Sequence, residues 1–217
     1  MELLKPTLRT FRIAILGGVV AWLACFTLRA DLSTRNPYDV VAGDLHAFTS
    51  PNYIRWPTNA VAITNAIAST NAVAVTNAVA STNSPPPSWR IGILGGDPFG
   101  DTLLKTLKDH PVDGRDFEII HAQSAAELLN CHIVYISTKD EEVIGSALTV
   151  FAKHPVLTVG EADDFLKLGG MIRMEFGKNV HFSVNLDRAR AAGLKISAGM
   201  LEVANQVIEN GRLKKLK

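Results

Sequence analysis

From Trp89 onward the chain alternates short apolar runs with stretches of helical spacing, and this rhythm restricts the fold more than any other feature. Residues 91–94 read as a buried-type strand, followed by the turn Gly95-Gly96-Asp97-Pro98-Phe99-Gly100 and a helix face of Leu103, Leu104 and Leu107. A second strand is expected at 117–120. Ser124 and Glu127 form a capping box for the next helix, and residues 133–136 make a third strand. A helix over 140–152, a strand at 156–159 and a short helix at 163–168, ended by Gly169-Gly170, complete the repeat. Such β-α alternation predicts a three-layer α/β domain, its mainly parallel sheet covered on both faces and joined by right-handed crossovers. Residues 171–176 and 180–184, joined by Gly177-Lys178-Asn179, predict a C-terminal β-hairpin beside that sheet. A final helix is expected over 197–210, burying Leu201, Ala204 and Ile208, with 211–217 as a frayed basic tail. The folded unit is thus placed at 88–210.

The N-terminal region has a different character. Lys5, Arg9 and Arg12 precede an uncharged run over residues 13–28 that Arg29 closes, which is the shape of a secretory signal. The run is shorter than the roughly 20 residues of a spanning helix, and small residues at Ala24 and Ala30 suit a peptidase. Cleavage after Ala30 is the preferred reading, giving a periplasmic protein with residues 1–30 as signal peptide. Lipidation at Cys25 and an uncleaved anchor are the alternatives, and all three outcomes place the domain outside the cytoplasm.

Residues 31–57 are poorly defined as a sequence. Residues 58–83 then repeat with a period of six, beginning Thr58-Asn59-Ala60-Val61-Ala62-Ile63 and closing with Thr82-Asn83. Four hexads cannot stack into a β-solenoid with a buried face, so 58–87, including Pro85-Pro86-Pro87, reads as a low-complexity spacer that supplies reach.

Charge and residue inventory exclude several classes. The formal net charge of +1 owes its sign to the leader, whose removal leaves 18 basic against 20 acidic residues. No basic stripe remains, so no nucleic-acid partner is expected. The six histidines have no metal-ligand spacing, and no metal or cofactor is expected. Ser137 and Ser197 lack a nucleophile elbow, and Asp163-Asp164 reads as a helix cap, so no catalytic residue is assigned and the chain is read as a non-enzyme. Cys131 is the lone cysteine after the leader and reads as a small buried hydrophobe. Self-association as a homodimer is left open.

The candidate site is the turn after the first strand, with Gly95, Asp97, Phe99 and Gly100 as ligand- or partner-binding residues. Strand-to-helix turns at this place in doubly wound sheets often hold phosphates or small ligands. Here the glycine spacing is irregular, Pro98 removes a donor and Asp97 repels a phosphate, so a tight turn with Phe99 in the core is the competing reading.

Five stretches in order resemble the YfiR/HmsC-like family of periplasmic proteins. They are Arg90-Ile91-Gly92-Ile93-Leu94-Gly95 with Asp97-Pro98-Phe99-Gly100; Cys131-His132-Ile133-Val134-Tyr135-Ile136-Ser137; Pro155-Val156-Leu157-Thr158-Val159; Phe165 with Gly169-Gly170-Met171-Ile172; and Asn185-Leu186 with Ala191-Ala192-Gly193-Leu194-Lys195-Ile196-Ser197. The family's N-terminal helical segment is faint here, from Tyr38 to Trp56-Pro57, and is interrupted by Pro51. The resemblance implies a regulator that binds an inner-membrane signalling protein, a diguanylate cyclase in the best-known relatives, and so affects cyclic-di-GMP signalling and biofilm formation. It also implies that a cysteine pairing with the Cys131 position would sit where this chain has Gly92, so no disulfide is expected.

Overall fold

The computed structural model describes residues 36–57 and 87–216, which form one compact unit. The leader lies outside the described residues. Strand β1 (Ile54–Arg55) belongs to a small ribbon, and β2 (Trp89–Leu94), β3 (Phe117–Ala122), β4 (Ile133–Ile136), β5 (Leu157–Gly160), β6 (Ile172–Glu175) and β7 (His181–Asn185) follow along the chain. Strand β8 (Lys195–Ile196) pairs antiparallel with β1, while β9 (Gln206–Glu209) and β10 (Arg212–Lys215) extend the main sheet. That sheet has the order β10-β9-β7-β6-β5-β4-β2-β3 and is parallel from β3 to β6. The expected hairpin is present, because β6 and β7 pair antiparallel from Ile172–Val184 to Glu175–His181.

Alternation along the strands builds two cores. Ile91, Ile93, Ile133, Tyr135, Leu157, Val159, Ile172 and Met174 face one layer, with helices α1 (Pro37–Phe48) and α2 (Asp101–Leu107) packed against them. Leu94, Val134 and Ile136 face the other, covered by a 3-10 turn (Ala125–Leu128) and helix α3 (Glu141–Phe151). Two short helices, α4 (Leu186–Ala191) and α5 (Ala198–Val203), precede and follow β8. The three layers predicted from the β-α rhythm are all present.

Several local expectations are corrected. The final helix is only α5; it ends at Ala204, whose backbone is extended, and the chain becomes β9, with which the expected tail pairs as β10. The turn between them is Asn210-Gly211, both with positive φ of 54° and 68°, the backbone that a two-residue hairpin needs. Residues 163–169 form successive turns rather than a helix, with Asp164 paired to Lys167. Ser124 makes no side-chain cap hydrogen bond. Leu104 is exposed while Leu103 and Leu107 are buried.

Residues 36–57 are part of the fold. Asn36 accepts from the Tyr38 N–H, Pro37 opens α1, and the helix ends at Phe48, so Pro51 falls after it rather than within it. Val41, Ala42, Leu45 and Phe48 are buried in the first core. The repeat at 58–86 lies outside the described residues, but both of its flanks are visible. Trp56 packs on Trp89 with ring centroids 5.2 Å apart.

Candidate functional site

The chain runs from β2 to β3 on one side and from β4 to β5 on the other, so the connections beyond the carboxyl ends of the neighbouring strands β2 and β4 diverge and leave a crevice, the usual ligand position in open α/β sheets. A cleft of about 540 Å³ opens there. Its wall comes from Leu94 at the end of β2, Gly95, Gly96, Asp97 and Pro98 after it, Gln123 after β3, Ser137 and Thr138 after β4, and Glu161 after β5. Tyr38 from α1 and Val143 from α3 complete it.

The turn after β2 is held from within. Asp97 Oδ1 accepts from the Phe99 N–H at 2.7 Å, and its Oδ2 lies 2.9 Å from His121 Nε2. Ser137 donates both its N–H and its hydroxyl to the Leu94 carbonyl, at 3.2 and 3.1 Å. Gly95 has a φ of 96°, and a Cβ there would stand 3.0 Å from Ser137 Oγ, so a side chain would be both strained and crowded.

Of the four residues predicted from sequence, Gly95 and Asp97 border the cleft. Phe99 instead is 3% exposed and sits edge-on between Tyr38 and Tyr135, with centroids 5.6 and 4.9 Å away. Gly100 occupies the N-cap of α2, which makes no side-chain cap bond. Sequence reasoning missed Tyr38 and Glu161, which meet across 123 residues when the Tyr38 hydroxyl donates to both Glu161 oxygens at 3.3 Å. The available signal was positional: Glu161 directly follows β5, at the carboxyl edge where such sites form.

Two phenols feel this environment. Burial, and after it the Glu161 charge, raises the pKa of Tyr38. The same two causes, with Tyr38 added, raise Tyr135 further, and its fully buried hydroxyl has no hydrogen-bond partner. Among the described residues the cleft lining holds Asp97 and Glu161 but no lysine, arginine or cysteine. Among the described residues no three His, Cys, Asp or Glu side chains gather as a metal set.

A second polar cluster lies where the repeat tract joins the fold. His132 packs on Trp89 at 4.7 Å, and the Arg115 guanidinium covers the Trp89 ring at 4.0 Å. The Arg90 N–H donates to His132 Nδ1 at 3.1 Å, while Arg115 Nη2 stands 3.1 Å from Nε2. Donors on both sides leave a second ring proton without an acceptor. Burial, then the charges of Arg115 and Arg90, lower the His132 pKa to about 4. Arg115 also donates to the Pro87 and Ser88 carbonyls, fastening the end of the tract.

The fold and its crevice define a doubly wound α/β domain with a cleft at its switch point. The chain belongs to the YfiR/HmsC-like family, whose model matches residues 75–205. Helix α1, β1 and the β9–β10 hairpin lie outside the matched stretch.

Proposed function

We propose that this protein is an exported regulatory binding protein that acts on an inner-membrane signalling partner, holding a diguanylate cyclase inactive and thereby affecting cyclic-di-GMP signalling and biofilm formation. The family match over residues 75–205 is the observation that carries this reading. The basic leader with its uncharged run at 13–28 supports a periplasmic location. A regulator of this kind needs only to bind one state of its partner better than the other, and no catalytic group is required. The test is affinity capture from native membranes with the exported chain as bait, followed by mass spectrometry. Recovery of a membrane diguanylate cyclase supports the reading; capture of nothing specific overturns it.

The switch-point cleft favours a second reading, a small-molecule binding domain without catalytic activity, in which Gly95 and Asp97 border the ligand while Phe99 and Gly100 hold the turn in shape. A ligand that binds the folded state alone raises the melting temperature, so a compound screen that produces no shift would remove this alternative.

A further inference from the structure

We infer that the outer edge of β10 is a docking surface for an acidic, extended segment of a partner protein, which joins the eight-stranded sheet as one more strand. The surface lies apart from the cleft and beyond the matched stretch 75–205, and it holds for any partner that presents such a segment.

The backbone of this edge is open. Strand β10 ends the sheet order, and among the described residues no strand flanks its far side. Its register with β9 sets Arg212 against Glu209 and Lys214 against Val207, and in step with these pairs the Leu216 N–H donates to the Asn205 carbonyl at 3.0 Å. Antiparallel hydrogen bonding alternates along a strand, so the N–H and C=O groups of Leu213 and Lys215 point away from β9. An edge of this kind is a template for strand addition.

The charge of the edge selects what can be added. Residues 212–217 hold four basic residues and no acidic one, whereas residues 31–211 hold 14 basic against 20 acidic. Glu209 is shared by Arg190 and Lys214, at 3.0 and 2.8 Å. Among the described residues Arg212 and Lys215 have no ion-pair partner. A second copy paired edge to edge would set these like charges against one another, so the edge opposes self-pairing and favours an acidic strand.

Exposed leucines complete the surface. All four residues of β10 are exposed, Leu213 at 54%, and Leu216 just beyond the strand is 47% exposed. Successive side chains alternate between faces, so Leu213 lies with Lys215 and Leu216 with Arg212 and Lys214. An incoming strand that carries both acidic and apolar side chains therefore meets a basic group and a leucine on either face.

The experiment is fluorescence anisotropy of the exported chain with three labelled peptides: Glu-Val-Glu-Val-Glu-Val, its counterpart with lysine for glutamate, and an N-methylated copy of the acidic peptide that has lost amide donors. Vesicles of phosphatidylglycerol and phosphatidylcholine in equal parts are tested alongside by co-sedimentation. The acidic peptide is expected to bind, more weakly as salt rises, and the other two are not. Lys215→Pro removes an outward donor and spares the pairing with β9, while Arg212→Glu with Lys215→Glu reverses the edge charge; each change is expected to weaken binding by about tenfold or more. Melting curves of the unliganded variants check that the fold is intact. Acidic-peptide binding that survives both Lys215→Pro and N-methylation is charge attraction without strand addition and overturns the inference. Silence of the acidic peptide overturns it as well, whether or not the vesicles bind.

Discussion

A Cβ built on Gly92 stands 3.1 Å from the Sγ of Cys131, within reach of a bridge between the two positions. The turn that leads into β4 brings Cys131 under β2, and the Leu128 methyls crowd the same Cβ at 2.9 and 3.1 Å. The position where the family resemblance implies a second cysteine is therefore spatially the right one, and a glycine occupies it.

Gly92→Cys is expected to close a disulfide with Cys131 once Leu128 changes rotamer. Closing a loop of about 40 residues stabilises by roughly 4 kcal/mol at most, less whatever strain the bridge carries. Thiol titration after denaturation, and melting with and without reductant, check this; two free thiols under oxidising conditions would refute it. In the natural chain, burial pushes the Cys131 thiol up to about 11, so alkylation of the native protein at pH 8 should be slow and should accelerate in denaturant.

His132 makes stability fall on the acid side. Its folded pKa of about 4 lies below the ordinary value of 6.5, so between those values the unfolded chain binds the extra proton. Stability contributed by this site is complete above pH 6.5 and is lost as the pH falls toward 4, by an amount on the order of 2 to 3 kcal/mol. Urea unfolding at pH 7 and pH 4.5 measures the loss, and His132→Gln is expected to flatten it relative to the natural chain.

The Phe165 ring is held between two glycines. A Cβ on Gly160 would approach it to 2.4 Å and one on Gly170 to 2.2 Å, while Phe165 itself is fully buried. Neither the rigid ring nor the strand backbone can yield, so Gly160→Ala and Gly170→Ala are each expected to cost about 1 to 3 kcal/mol by overpacking. Chemical denaturation reads this directly, and Gly43→Ala on α1, where nothing lies within 4 Å of the added methyl, is the control that should not destabilise.

Replacing residues 58–86 by about six Gly/Ser residues should leave the fold intact. Trp56 and Trp89 are already in contact, and shortening a closed loop about fivefold favours folding by roughly 1.4 kcal/mol. An unchanged or higher melting temperature is expected; collapse of the cooperative transition would show that the tract itself holds the two segments together.

The strand-helix rhythm was legible from residue 89 to 185 because each buried strand is a short apolar run bounded by glycine, proline or polar residues, as Ile133–Ile136 illustrates. The C-terminal hairpin β9–β10 was not, because Leu201, Ala204 and Ile208 fit a helical period, whereas Gln206–Glu209 alternates at period two around Asn210-Gly211. That Asn-Gly pair was the decisive local signal and outweighs the spacing. Helix α1 was hidden for a different reason: Pro51 suggested a break, although the helix had already ended at Phe48. The site was half legible. The turn from Gly95 could be placed by its position after a strand, but Tyr38 and Glu161 meet only through the packing of α1 over the sheet, which no local pattern encodes.

The contact between Trp56 and Trp89 also changes what a single chain break would mean. A cut anywhere in 58–86 would leave residues 36–57 held by Leu45, Phe48 and Ile54 in the core and by the β1–β8 pairing, so the severed protein would persist as a two-fragment complex. A chain begun at residue 75, where the family match starts, would lack α1 and expose the apolar groove it fills, a surface suited to receive the same helix from a separate peptide or a neighbouring copy.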